Sequence, residues 1–149
     1  MKTQNTITLS LGTNMGHKLE NLLTCIDAIH HTIATVIEVS KVYETPAWGF
    51  EGEAFYNCVV TIHTHKSAPK VLSQILKLEK ELGRIRSHSG NYESRIIDID
   101  IVSFNDEIIE TENLNIPHIH LHNRKFVLFP LRDVSPKWNH PKLNKSISE

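Results

Sequence analysis

Two carboxylates two residues apart, Asp98 and Asp100 in the run RIIDIDI at 95–101, are the strongest candidates for chemistry in this chain. On a strand both side chains leave the same face with their roots about 7 Å apart, while the alternate residues point the other way. Ile97, Ile99 and Ile101 are those alternates and are expected in a core. Neighbouring carboxylates repel without a cation, and hard oxygen donors of this kind suit Mg2+, which completes its shell with substrate phosphates. The pair therefore implies a magnesium site for polyphosphate. A solvated polar face on an edge strand is the alternative, although aspartate is disfavoured in strands.

Cations bracket the pair: Arg84 and Arg86 lie upstream, and Arg95 stands three residues before Asp98. Guanidinium groups grip phosphate oxygens bidentately, so metal on one side and arginines on the other would neutralise a triphosphate. His118, His120 and His122 alternate, but a zinc site on one extended segment lacks a fourth ligand in reach. A single histidine donating to phosphate fits better, and His118 after Pro117 is the best placed. Trp48, Phe55, Asn57 and Phe126 form a second group, able to pack in a core or to sandwich a flat heterocycle while the amide reads its edge.

Several phosphate and hydrolase signatures are missing. Gly12-Thr13-Asn14-Met15-Gly16-His17-Lys18 has the wrong glycine spacing for a Walker A loop, and Leu19 stands where Ser or Thr should follow the lysine. There is no protein-kinase catalytic set and no GxSxG elbow.

The elements that must hold these residues follow from periodicity. TITLSL at 6–11 alternates and meets a turn at 12–14, and apolar positions from Leu19 to Ile33 follow the helical period. Val36 to Tyr43 reads as a second strand, followed by a loop at 45–54, and Phe55 to His65 as a third, rich in Val, Ile and Thr. Ser67-Ala68-Pro69 opens a second helix that Gly83 ends. A polar loop at 84–94 then leads into a buried strand at 95–104, with a turn at Asn105-Asp106 and a short strand at 107–109. The order βαββαβ predicts an α+β, ferredoxin-like fold: a mainly antiparallel sheet with helices packed on it, tending to three α/β/α layers.

The 149 residues suit one domain, which at this size buries roughly 70% of the surface its unfolded chain exposes. Hydrophobic residues at 40% and charged residues at 22% place the chain with ordinary globular proteins rather than disordered ones. A net charge of -1 gives no general attraction to nucleic acid or an anionic membrane. Cys25 and Cys58 lack ligand spacing and sit among apolar neighbours, as reduced core thiols do. Polar Thr6, Thr8 and Ser10 interrupt the first apolar stretch, so neither a signal peptide nor a spanning helix is expected, and the protein reads as cytoplasmic.

An ordered set of segments carries a resemblance: LSLGTNMG at 9–16, YETPAWGF at 43–50, FYN at 55–57, LEKELGRIR at 78–86, RIIDIDI at 95–101 and IPHIHLHNRKFVLFPL at 116–131. Together they resemble the 6-hydroxymethyl-7,8-dihydropterin pyrophosphokinase family almost end to end. The resemblance implies one pyrophosphokinase domain over 1–149, working as a monomer on small molecules in folate biosynthesis. It further implies transfer of diphosphate from ATP to the pterin hydroxymethyl oxygen, with release of AMP. Two Mg2+ ions would be bridged by Asp98 and Asp100, with Arg84 and Arg95 joining them in catalysis. Carried over by position, the pterin pocket falls on Gly12, Thr13, Thr45, Pro46, Trp48, Phe55, Asn57 and Phe126. The ATP side falls on Glu79, Arg84, Arg86, Tyr92, Arg95, His118 and Arg124.

Departures from the family pattern are local. Tyr92-Glu93-Ser94-Arg95 stands where the family shows Trp-Gly-Pro-Arg, and Glu93 adds an acid that would weaken ATP binding. Leu76 and Ile119 also differ from common members. Gly49, Gly52 and Gly90 lie in the loops at 45–54 and 84–94, which are expected to close over ATP and exclude water. A non-catalytic ligand-binding module of the same fold is the rival, and its mark would be an incomplete charge set. An RNA-binding module would need sheet aromatics and a basic face.

Overall fold

The structure is a computed structural model that describes residues 4–45, 54–83, 97–105, 107–111, 114–116, 125–134, 139–140, 143 and 145–146. Nine strands and three helices lie among these residues. The central strand, β1 (Asn5–Thr13), runs two residues further than its alternation suggests. Gly12 and Thr13 stay in the sheet because strands flank them: Thr13 pairs with Tyr56, and Gly12 pairs on both sides.

Helix α1 (Lys18–Thr32) buries Leu22 and Ile29 of its periodic set together with Cys25, and leaves Leu19 and Leu23 exposed. The expected second strand is two. Strands β2 (Thr35–Val39) and β3 (Tyr43–Thr45) divide the outer edge of β4 (Phe55–Thr64) between them. Ser40 explains the break. Its N–H donates to the Val59 carbonyl at 2.8 Å, while its hydroxyl oxygen accepts from the Val59 N–H at 2.8 Å, standing in for a backbone carbonyl.

Helix α2 (Ala68–Glu81) starts where Ser67 caps it, the hydroxyl oxygen accepting from Lys70 N–H, with proline in the first turn. It stops at Gly83, whose φ of 97° suits a residue without a Cβ. Strand β5 (Asp98–Phe104) completes a five-stranded antiparallel sheet ordered β2-β4-β1-β5, with β3 alongside β4. This is the ferredoxin-like order expected from the sequence.

The C-terminal third adds more than the sequence suggests. Strands β6 (Ile109–Glu110) and β7 (Asn115–Ile116) form a small ladder, as do β8 (Asn139–His140) and β9 (Lys145–Ser146). Helix α3 (Lys125–Val134) packs on β4 and β3 despite an internal proline, Pro130. Proline there removes a helical hydrogen bond at a cost of about 3 kcal/mol, which is why the segment does not read as a helix. Burial of Pro130 and Leu131 offsets that loss.

The layers follow from strand alternation. Ile7, Leu9 and Leu11 of β1 join Leu22, Cys25 and Ile29 of α1 and Val71, Ile75 and Leu78 of α2 in one apolar core. Thr8, Ser10 and Gly12 face the other way; on the outer edge of β4, the Asp133 carboxylate of α3 accepts from the Tyr43 hydroxyl at 2.8 Å and the Lys41 N–H at 3.3 Å. The first bond raises the Tyr43 pKa above its usual value, because the neutral hydroxyl is the form that donates. Both cysteines are free and buried, and burial pushes each thiol up to about 12. No helix among the described residues is long and apolar enough to cross a membrane.

Candidate active site

Register, rather than sequence proximity, assembles the site. Gly12 of β1 lies opposite Asn57 of β4 on one side and Asp98 of β5 on the other. One step along, Ser10 lies between Val59 and Asp100. Directly paired residues of an antiparallel sheet share a face, so Asn57, Gly12, Asp98, Ser10 and Asp100 lie on one surface. Strand β3 extends the row, with Tyr43 opposite Asn57 and Thr45 opposite Phe55. Two strand spacings put Asn57 and Asp98 roughly 10 Å apart.

Asn57 is nearly fully buried and firmly oriented. Its Nδ2 donates to Thr45 Oγ1 at 2.8 Å and to the Tyr43 carbonyl at 3.4 Å. The carbonyl can only accept, which fixes the amide nitrogen toward β3. The amide oxygen then faces Gly12, where a Cβ would stand 3.1 Å from Oδ1 and 3.7 Å from Phe55 Cδ1. Glycine at this position keeps open the space beside the amide and the ring.

Thr13, fully buried, accepts from Asn21 Nδ2 at 3.2 Å, and the same nitrogen donates to the Met15 carbonyl at 2.8 Å. Asn21 thus ties the first turn of α1 to the end of β1. Lys18 reaches the Ala54 carbonyl at 3.1 Å and lies 4.6 Å from the Tyr56 ring centroid, bracing the start of β4. Neither supporting residue carried a sequence signal, since each acts across a chain reversal.

Asp98 and Asp100 are half-buried on β5, while Ile97, Ile99 and Ile101 are buried, as the alternation predicts. Among the described residues no group of three or more His, Cys, Asp or Glu side chains gathers as a metal cage. Paired carboxylates with a partly open face fit a hard cation that takes its remaining ligands from phosphate and water. Behind the strand, the buried Glu79 of α2 accepts from the Ile99 N–H through Oε2 at 2.9 Å.

The structure therefore brings together Gly12, Thr45, Phe55 and Asn57 with Asp98 and Asp100 on one face and sets Glu79 behind them, while the Thr13 side chain leaves the other face toward Asn21 of α1. Pro46, Trp48, Arg84, Arg86, Tyr92, Arg95, His118 and Arg124 lie outside the described residues, as do most of the 45–54 loop and the whole 84–94 loop. Phe126 lies in α3, and its side chain is likewise outside what is described.

Fold and family match together define a class: an α+β enzyme that works on small molecules. Residues 8–136 match the family described as 7,8-dihydro-6-hydroxymethylpterin-pyrophosphokinase (HPPK), and the chain belongs to that family. It is a pterin pyrophosphokinase of folate biosynthesis, a kinase that uses ATP. The chain is 36% identical over 145 residues to the 2-amino-4-hydroxy-6-hydroxymethyldihydropteridine pyrophosphokinase of Aquifex aeolicus, covering 97% of this chain and 89% of that one. It is 37% identical over 150 residues to the folic acid synthesis protein fol1 of Schizosaccharomyces pombe, covering 99% of this chain but 20% of that longer protein. Among solved structures, the HPPK-DHPS triple mutant of Plasmodium falciparum with SDX-DHP superposes with a TM-score of 0.80 at 20% identity. That likeness covers 99% of this chain and 41% of the other, and it bears on the fold alone.

Proposed function

We propose that the sheet face carrying Asn57, Gly12 and Asp98 is where the diphosphate of ATP passes to the hydroxymethyl oxygen of 6-hydroxymethyl-7,8-dihydropterin. The new bond joins that oxygen to the β-phosphorus, the hydroxyl proton passes to water, the bond from the β-phosphorus to the α,β-bridging oxygen breaks, and AMP leaves with that oxygen. The observation that carries this reading is the register of Gly12, in line between Asn57 and Asp98. It supports a heterocycle seated against the amide and Phe55, with its reactive arm directed toward the carboxylates.

In this reading Asn57 Oδ1 accepts from an N–H on the pterin edge, and Thr45 holds the amide in that orientation. Thr13, Pro46, Trp48 and Phe126 complete the pocket, with Phe55 and Phe126 stacking on the ring. Asp98 and Asp100 hold Mg2+, two ions in the full complex, which would neutralise phosphate charge and align the transferred group. Arg84, Arg86, Arg95, Arg124, His118 and Tyr92 bind the nucleotide, Arg84 and Arg95 stabilising charge on the moving diphosphate. Rate enhancement then comes mainly from positioning and charge neutralisation. The whole of 1–149 would act as one domain, as a cytoplasmic monomer, and the near-neutral charge suits small-molecule work rather than nucleic acid binding.

The test is incubation with Mg2+, ATP and the hydroxymethyl-dihydropterin, followed by nucleotide analysis. AMP should appear in step with the pterin diphosphate. Formation of ADP, or nucleotide turnover indifferent to the pterin, would overturn the assignment.

A further inference from the structure

Glu79 is the only Asp, Glu, Lys, Arg or His among the described residues that is buried, at 2% exposure. Burying a carboxylate costs several kcal/mol unless it is hydrogen-bonded, so the position calls for a physical reason. Its Oε2 accepts from the N–H of Ile99, the residue between Asp98 and Asp100. Among the described residues strand β5 ends the sheet order, with β1 its only ladder partner there, and Ile99 lies opposite Leu11. Along an edge strand alternate N–H groups point away from the sheet and lack a neighbour's carbonyl. Glu79 stands where that carbonyl would be.

We infer that Glu79 is a positioning residue: it acts through the Ile99 backbone to hold Asp98 and Asp100 at the spacing that binds the metal–phosphate complex. The inference rests on the assignment of the metal site to these two aspartates. Its physical content is the hydrogen bond itself, which gives a buried backbone amide its acceptor. Without the acceptor, the Ile99 N–H is left buried and unsatisfied, and the strand relieves that by shifting. Metal sites tolerate displacements of only about 0.5 Å, so such a shift weakens the site without touching a ligand.

The experiment compares the full chain with Glu79→Gln and Glu79→Ala, because the glutamine amide oxygen keeps an acceptor for Ile99 while removing the charge. Mn2+ binding in the presence of a non-hydrolysable ATP analogue is read by electron paramagnetic resonance, with no turnover needed. Metal affinity should fall by about 10-fold to 100-fold in Glu79→Ala, as for other residues that orient metal ligands. Glu79→Gln should recover most of that loss, and Ile99 amide exchange should be slow in the native chain and the Gln variant and faster in the Ala variant. Unchanged Mn2+ affinity in folded Glu79→Ala would overturn the inference. So would a Gln variant as weak as the Ala variant, which would mean that the charge itself matters. If Glu79→Ala does not fold, the Gln variant decides alone: native-like Mn2+ binding with a protected Ile99 amide supports the role, and loss of either refutes it. Failure of the native chain to form AMP would bear on the proposed reaction instead, since the Mn2+ readout does not depend on it.

Discussion

The two faces of β1 are built from alternate residues of one nine-residue strand, yet they do opposite things. Ile7, Leu9 and Leu11 are fully buried in one apolar core with residues of α1 and α2. Thr8, Ser10 and Gly12 share their face with hydroxyls, an amide and two carboxylates of the neighbouring strands. The first face supplies stability through burial. The second gives up apolar packing to place donors and acceptors, which is affordable because the first face anchors the same backbone. Rigidity on one side thus fixes geometry on the other.

The comparison breaks most sharply at the carboxylates. Asp98→Ala and Asp100→Ala should each lower kcat/KM by about 10^3-fold or more, the several kcal/mol expected when a metal loses its anchor. Thermal melting of both variants should stay within a few degrees of the native chain, because the side chains are half-exposed on an edge strand. Retained turnover in both would remove the metal role. On the opposite face, Leu9→Ala should destabilise by about 2–5 kcal/mol in urea unfolding. Its folded fraction should keep the native KM for pterin, and a raised KM would mean that the two faces are not separable. The smallest effect is expected at Gly12→Ala, whose Cβ would press on Asn57 Oδ1 from 3.1 Å. Pterin KM should rise about 10-fold, or roughly 1.4 kcal/mol, with ATP KM unmoved. A uniform loss in both would place the glycine's effect in the strand rather than the pocket.

Legibility differed along the chain for physical reasons. The run RIIDIDI declares a strand with isoleucines inward and aspartates outward, and the structure keeps that pattern through Ile97, Ile99 and Ile101. Helices α1 and α2 were equally plain, since apolar periodicity, a serine cap and a stop glycine are local signals. The division of β2 from β3 was hidden, because Ser40 breaks the strand through a bond to Val59, a residue on another element. Helix α3 was hidden by Pro130, whose local penalty is outweighed by packing on β4. Resemblance alone puts Glu79 on the nucleotide side, and nothing local marks it as the partner of the Ile99 backbone.

Residue types and short spacings are properties of the chain itself, so the sequence determined the α+β order, the apolar core and the carboxylate pair. Which side chains meet is a matter of register, set by strand pairing between segments far apart and by which face each burial demands. Only the tertiary structure decided that Gly12 would stand between Asn57 and Asp98. It also decided that the strand bearing the two aspartates would be held from behind by a buried glutamate.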